Sequence, residues 1–323
     1  MVHSFVFADG KLVERDMDLD TIPVFLKDEG IHVWVDLEDP TPEETRQVLE
    51  GIFQFHPLAI EDCVTFSMLP KVEPYDDYLF CVIHAVDFDR KDEHFRTAEL
   101  NLFLGKNYLV TWHREPLKSI QAALDRCSKR AQVARGSDRI AHSILDALVD
   151  NYLPVLHEFG DDVNEIESLV LEGGATERLM NRILQLKKEV LLLGQIIRPQ
   201  REVLTRFARG EFKMVRTQLV PYYRDICDHL IRYNEMAEQF RDALNGTMQL
   251  YLSISSNRTA EIVKVLTLIT VITTPAMVVG SWYGMNFQHM PELVHRWGYF
   301  SAVILTVVST ILTIIYVRRR GWM

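Results

Sequence analysis

Cysteine is scarce in this sequence: four in 323 residues, at positions 63, 81, 127 and 227, with no Cys-x-x-Cys pair. That excludes a thiolate zinc knot and a disulfide framework, and it fits a reducing compartment. A concentrated basic face is also missing. The chain holds 35 Lys and Arg against 45 Asp and Glu, a formal net charge of −10, which argues against nucleic acid as a partner. There is no glycine-rich loop of the kind that cradles nucleotide phosphates. The opening MVHSFVFADGKLVERD lacks a basic stretch followed by an apolar one. No secretory signal is therefore expected, and the N-terminal part is expected in the cytosol.

The acidic excess is concentrated in the first third. Residues 1–116 hold 10 Lys and Arg against 24 Asp and Glu, a net of −14, while residues 117–323 hold 25 against 21, a net of +4. An acidic surface serves solubility, and some of these carboxylates are candidates to bind cations.

Charge vanishes from two stretches near the C-terminus, VLTLITVITTPAMVVGSW (265–282) and GYFSAVILTVVSTILTIIYV (298–317). As helices they measure roughly 27–30 Å, the hydrocarbon thickness of a bilayer. A buried core helix rarely runs so long without a charge. Two in succession predict a transmembrane hairpin with spans at about 262–282 and 298–317. Trp282 and Tyr283 close the first span, and Trp297 and Tyr299 open the second, as interfacial aromatics do. Arg258, Lys264, Arg318, Arg319 and Arg320 flank the outer ends, against Arg296 alone in the joining loop. That bias predicts a multi-pass protein of the cell membrane with both termini cytoplasmic and YGMNFQHMPEL (283–293) outside.

Within the first span Val263, Thr267, Thr270, Thr274, Met277 and Ser281 recur at spacings of 4, 3, 4, 3 and 4. At about 100° per residue they share one helical face, which also takes in Leu266. A 3.5-residue repeat signals association about an axis. Its hydroxyls allow two readings: close packing of small residues between helices, or the polar wall of a water-filled pore. Two helices cannot enclose a channel, so a pore requires several copies of the chain. Pro275 removes one hydrogen bond and is expected to bend the helix.

The preceding residues read as an α/β domain over 1–136, a helical region with a long stalk helix over 137–261, and the hairpin over 262–323. HVWVDLE (32–38), YLFCVIHAVDF (78–88), AELNLFLGK (98–106) and NYLVTWH (107–113) are β-branched and aromatic-rich strands. Thr41-Pro42-Glu43-Glu44 is a capping box that starts a helix. Helical spacing continues over 138–171 and 176–209, separated by Gly173-Gly174. Between Pro221 and Pro275 the single glycine is Gly246, so one helix of about 60 residues is expected to run into the first span.

Tyr283-Gly284-Met285-Asn286-Phe287, followed by Met290-Pro291-Glu292-Leu293, resembles the signature of the CorA family of divalent-cation channels. HPLAIEDC (56–63), PKVEPYDDYLF (70–80), LDALVDNY (145–152), PYYRDICDH (221–229), SNRTAEIVKVLT (256–267) and the terminal RRRGW also resemble the family. Relatives that move zinc tend to vary the Gly-Met-Asn tripeptide. The resemblance implies a homopentamer with a funnel-shaped cytosolic α/β domain, long helices and two C-terminal transmembrane helices. The first span of each subunit would line the pore. It implies Mg²⁺ as cargo, with Co²⁺ and Ni²⁺ also passing. Cytosolic Mg²⁺ would close the channel by bridging carboxylates at subunit boundaries, at positions matched here by Asp225 in YYRD and Asp89 in DFDRK. Three positions depart from the family: Ala260 stands where relatives often have Asn, and Met is often found near Val263 and again at Thr274.

Mg²⁺ gives up its water reluctantly, so a pore passes it most easily still hydrated. Gly284, Met285 and Asn286 would form the filter, with the Asn286 amide and the two backbone carbonyls accepting hydrogen bonds from those waters. Thr270, Thr274, Met277 and Ser281 would line the wall below. Val263 and Leu266 would form a hydrophobic constriction, and Glu292 in the outer loop would attract cations. A divalent ion gains roughly 4.6 kcal/mol per 100 mV of negative-inside potential. Two alternatives stand beside this: a zinc-selective, proton-coupled relative, and a membrane-anchored Mg²⁺ sensor that conducts nothing. His56, Glu61 and Asp62 lie close in sequence but form no catalytic geometry, so an enzyme is not expected.

Overall fold

Alternating apolar residues build a seven-stranded sheet in the N-terminal part of the chain. The computed structural model describes residues 1–67, 69–89, 94–173, 176–285 and 296–322, and the side chains of all of these but 87–89 and 94–95. The chain forms two units, Met1–Glu172 with Thr176–Thr247, and Gly173–Ala175 with Met248–Met323.

In the first unit the strands are β1 (Val2–Ala8), β2 (Lys11–Arg15), β3 (Ile31–Glu38), β4 (Lys71–Pro74), β5 (Tyr78–Asp89), β6 (His94–Gly105) and β7 (Tyr108–His113). Their order in the sheet is β2-β1-β3-β7-β6-β5-β4. β3 and β7 run parallel, with Asp36 opposite Thr111 and Glu38 opposite His113. The other described neighbours are antiparallel.

Alternation sends Val33, Val35, Leu37, Phe80, Val82, Phe103, Val110 and Trp112 to one face of the sheet. There they pack with Ile22 of α1 (Ile22–Phe25), with Val48 and Leu49 of the π-helical turn after α2 (Pro42–Thr45), and with Ala59 and Ile60 of α3 (Pro57–Val64). The predicted capping box is formed: Thr41 Oγ1 accepts from Glu44 N, and Glu44 Oε2 accepts from Thr41 N at 2.8 Å. His56 and Asp62 have structural partners. His56 Nδ1 accepts from Leu58 N at the start of α3, and Asp62 pairs with Lys71.

Helices α4 (Lys118–Lys129), α5 (Ser137–Asp150), α6 (Tyr152–Leu171) and α7 (Glu177–Ala208) follow, and α5, α6 and α7 pack on the sheet. Tyr152 Oη donates to the His84 carbonyl at 2.7 Å, and His84 N donates to Gln200 Oε1 at 3.0 Å, which ties α6 and α7 to β5. The single helical stretch expected over 138–171 is broken at Asn151. Pro154 explains this: it has no N–H for the Asp150 carbonyl, and its ring would crowd that oxygen. The four cysteines are free and buried, and burial pushes the Cys127 thiol up to about 12, so these thiols are unreactive.

The long helix is one element, α8 (Val220–Tyr283), 64 residues that continue through Pro275. Its start is anchored by a buried carboxylate. Asp138 on α5 accepts from Arg216 N at 3.1 Å, from Nε at 2.7 Å and from Nη2. A Cβ at Gly136 would lie 1.9 Å from that guanidinium, so any larger residue there would push the Arg216 side chain aside. Asp138 is 3% exposed. Arg216→Ala leaves its charge buried without the guanidinium, and denaturant unfolding should report a loss of about 3 kcal/mol. The last described helix is α9 (Gly298–Arg319).

Candidate cation path and carboxylate cluster

In the second unit α8 has two distinct sides. Leu268, Val271, Ile272, Pro275 and Val279 are half-buried, whereas Val263, Leu266, Thr270, Thr274, Met277 and Ser281 are exposed. At about 100° per residue the centres of these stripes are separated by roughly 150°. Thr267 is half-buried and stands between them. On α9 the half-buried positions include Ala302, Thr306, Ser309 and Thr313, small side chains that let helices approach closely. The packing stripe and the hydroxyl stripe of α8 are therefore different faces. Both helices are long and apolar enough to cross a membrane.

The threonine hydroxyls of the exposed stripe are oriented. Thr270 Oγ1 donates to the Leu266 carbonyl at 2.9 Å, and Thr274 Oγ1 donates to the Thr270 carbonyl at 2.7 Å. A hydroxyl has one proton and two lone pairs. With the proton committed to its own helix, each oxygen turns only lone pairs outward, as suits a cation or the hydrogens of its hydration water. Thr273 makes the same kind of bond, to the Ile269 carbonyl at 2.9 Å, so the orientation follows from the helix and the stripe from the spacing. Val263 and Leu266, 55% and 63% exposed, carry no polar side-chain atom and form the apolar end of the stripe.

Gly284 N donates to the Gly280 carbonyl at 3.0 Å, one step past the end of α8, and a Cβ on Gly284 would meet that same oxygen at 3.0 Å. The glycine lets the chain turn out of the helix closely. Met285 follows, 46% exposed. Asn286 and Glu292 lie outside the described residues.

In the first unit Asp225 sits exposed on α8 with no hydrogen bond or ion pair among the described residues. It is not isolated electrostatically. His142 on α5 feels the charges of both Asp146 and Asp225, and burial holds its pKa below the ordinary value. Asp146 and Asp150, one turn apart on α5, share Arg126 at 2.6 and 3.6 Å. Burial and then Asp146 push the Asp150 carboxyl up, and His229 Nδ1 lies 3.9 Å from Asp150. One cation thus serves two carboxylates and leaves Asp225 uncompensated. Asp89 ends β5 opposite His94; its side chain lies outside the described ones. Asp146 and Asp150 are the residues that sequence reasoning passed over. They stand in LDALVDNY at an i, i+4 spacing on an otherwise apolar segment, which is the signal that marks them.

An α/β domain followed by two helices long and apolar enough to cross a membrane, the first of them the end of α8 with its exposed acceptor stripe, is an arrangement that suits a membrane transporter. The profile of the family described as CorA-like Mg²⁺ transporter protein matches residues 29–319, and the chain belongs to that family. It is therefore a transporter of the divalent-cation class and not an enzyme. The cobalt/magnesium transport protein CorA of Thermotoga maritima is 31% identical over 96% of this chain and 88% of its own. The putative metal ion transporter YfjQ of Bacillus subtilis is 34% identical over 90% of this chain and 89% of its own. The complete CorA magnesium transporter of Methanocaldococcus jannaschii has the same fold, with a TM-score of 0.82 at 22% identity, covering 99% of this chain and 98% of that one.

Proposed function

We propose that this chain forms a homopentameric channel that admits Mg²⁺, and with it Co²⁺ and Ni²⁺, into the cytoplasm down the membrane potential. Both termini are cytoplasmic, and the loop after α8 opens outside. Gly284, Met285 and Asn286 form the filter for the hydrated ion, with Glu292 drawing cations toward it. Thr270, Thr274, Met277 and Ser281 line the wall, and Val263 with Leu266 form the constriction that opens and closes. Cytosolic Mg²⁺ holds the pore shut by neutralising Asp225 and Asp89 between neighbouring subunits, and α8 carries both Asp225 and the pore stripe. The intact Gly-Met-Asn favours this over a zinc-selective, proton-coupled relative.

The observation that carries this reading is the exposed stripe of outward lone pairs on α8, turned away from the half-buried packing face. In lipid, such a face is better placed against other copies and water than against acyl chains. The test is Thr270→Val with Thr274→Val, which keeps shape and removes the acceptors. Mg²⁺ flux into proteoliposomes should fall at least about tenfold, the effect of about 1.4 kcal/mol added to the barrier. Unchanged flux in the double variant would remove the stripe from the path. A non-conducting Mg²⁺ sensor would bind the ion and pass none in either form.

A further inference from the structure

A second kind of metal chemistry is built where β3 and β7 end side by side. Asp36 and Glu38 project from β3, and Thr111 and His113 from β7, all on the sheet face opposite the Val33–Val35–Leu37 core. One carboxylate oxygen from each of Asp36 and Glu38 and a nitrogen of His113 lie within 4.8 Å of one another. His113 and Asp36 are buried, and Glu38 is half-buried at the edge.

The hydrogen bonds fix which atoms are left over. Trp34 Nε1 donates to Thr111 Oγ1 at 2.9 Å, and the Thr111 hydroxyl in turn donates to Asp36 Oδ1. The Glu115 backbone carbonyl only accepts, so His113 Nδ1, 2.7 Å from it, carries the proton of that bond. In the neutral ring His113 Nε2 then turns its lone pair to Asp36 Oδ1, 3.2 Å away. Two acceptors this close need a cation between them. The Glu38 carboxylate, with no hydrogen bond or ion pair of its own among the described residues, borders the same point.

We propose that His113 Nε2, Asp36 and Glu38 bind a divalent transition-metal ion of the Co²⁺, Ni²⁺ or Zn²⁺ type. Three features of the cluster suit that ion. Ligands about 2.1 Å from one metal lie roughly 3.0–3.4 Å apart in octahedral to tetrahedral geometry, which brackets the spacing of Nε2 and Oδ1. The outer hydrogen bonds are those of a metal-binding histidine and carboxylate: a backbone carbonyl orients the imidazole, and a hydroxyl holds the carboxylate. Imidazole nitrogen favours these ions over Mg²⁺, which takes oxygen. This site therefore differs in kind from the oxygen-lined path and from Asp225, and it stands whether or not the chain conducts. It would let this unit distinguish a transition metal from the bulk Mg²⁺ of its surroundings.

The competing occupant is a proton, which would make His113 an imidazolium paired with Asp36. The experiment loads the purified full-length protein with Co²⁺ in excess Mg²⁺, which fills the oxygen-only sites. Bound metal is counted, and its ligands are read by X-ray absorption. The expected result is one Co²⁺ per chain that Mg²⁺ does not displace, with one imidazole in its shell. His113→Gln should weaken that binding at least about tenfold. Because His113 is buried, Glu38→Gln at the half-exposed edge is the companion variant. It should remain folded by circular dichroism and also lose at least about tenfold in affinity. Absence of Mg²⁺-resistant Co²⁺ in the wild type, or wild-type affinity in folded Glu38→Gln, would overturn the site in favour of the proton. Flux is measured separately, so failure of the transport reading leaves this result unaffected.

Discussion

Uptake of Mg²⁺ into proteoliposomes is expected to fall to background when Asn286 is replaced by alanine. In the proposed channel this residue supplies the side-chain amide next to the backbone carbonyls of Gly284 and Met285, where a hydrated ion first meets the protein. A hydrogen bond of this kind contributes about 1 kcal/mol net. Five copies of the chain present five amides, so the variant raises the barrier by about 5 kcal/mol and slows passage by more than about a thousandfold. Asn286→Asp is the informative partner. It restores acceptors but adds five negative charges, so the ion should be held more tightly and released more slowly. Isotope flux measured beside both variants checks the pair, and wild-type uptake in Asn286→Ala would remove the filter from this loop.

Asp225→Ala has the second largest expected effect, and it acts in the opposite direction. The wild type should conduct less as Mg²⁺ inside the vesicle rises, because the ion neutralises carboxylates that otherwise repel across subunit boundaries. Asp225 suits that role because it is exposed and uncompensated, while Asp146 and Asp150 already share Arg126. Removing it should raise the internal Mg²⁺ needed for half-closure at least about tenfold, in the range of ordinary coupling energies between sites. Asp242, an exposed carboxylate on the same helix that pairs with its neighbour Arg241, is the control whose loss should leave closure unchanged. Equal responses of Asp225→Ala and Asp242→Ala would mean that general surface charge, not a bound ion, sets the closed state.

The long helix was legible because helix breakers are few: from Val220 to Tyr283 there are two prolines, Pro221 in the first turn and Pro275, and two glycines in a sequence with ample helix formers. Strands β3, β5, β6 and β7 were legible because their alternation and β-branched residues persist over six or more positions. β2 left no such trace, since all five of its residues are exposed, and β4 is four residues at the sheet edge, ending in Pro74. In α4 the buried positions Ser119, Ile120, Ala123 and Cys127 include mostly small residues, too little apolar surface for a strong periodic signal. The break at Asn151 was written in Pro154, but the apolar spacing on both sides outweighed it.

For the site, local spacing was enough to trace the hydroxyl stripe, because all its members lie on one helix. Thr267 differs from the rest in being half-buried, which depends on α8 having a half-buried side. The carboxylates were harder. Asp146 and Asp225 act on the charge of one histidine only because α5 and the start of α8 are brought together, anchored by Asp138 and Arg216. Asp36 and His113 lie 77 residues apart and meet through the parallel register of β3 and β7. No periodicity within either strand reveals that register.

The most direct measurement is Mg²⁺ uptake by the full-length protein in proteoliposomes, with membrane potential and internal Mg²⁺ varied independently and no pH gradient. Uptake that grows with an inside-negative potential and falls as internal Mg²⁺ rises is the predicted result. Uptake absent at every potential, or appearing only with Zn²⁺ under a pH gradient, would contradict it.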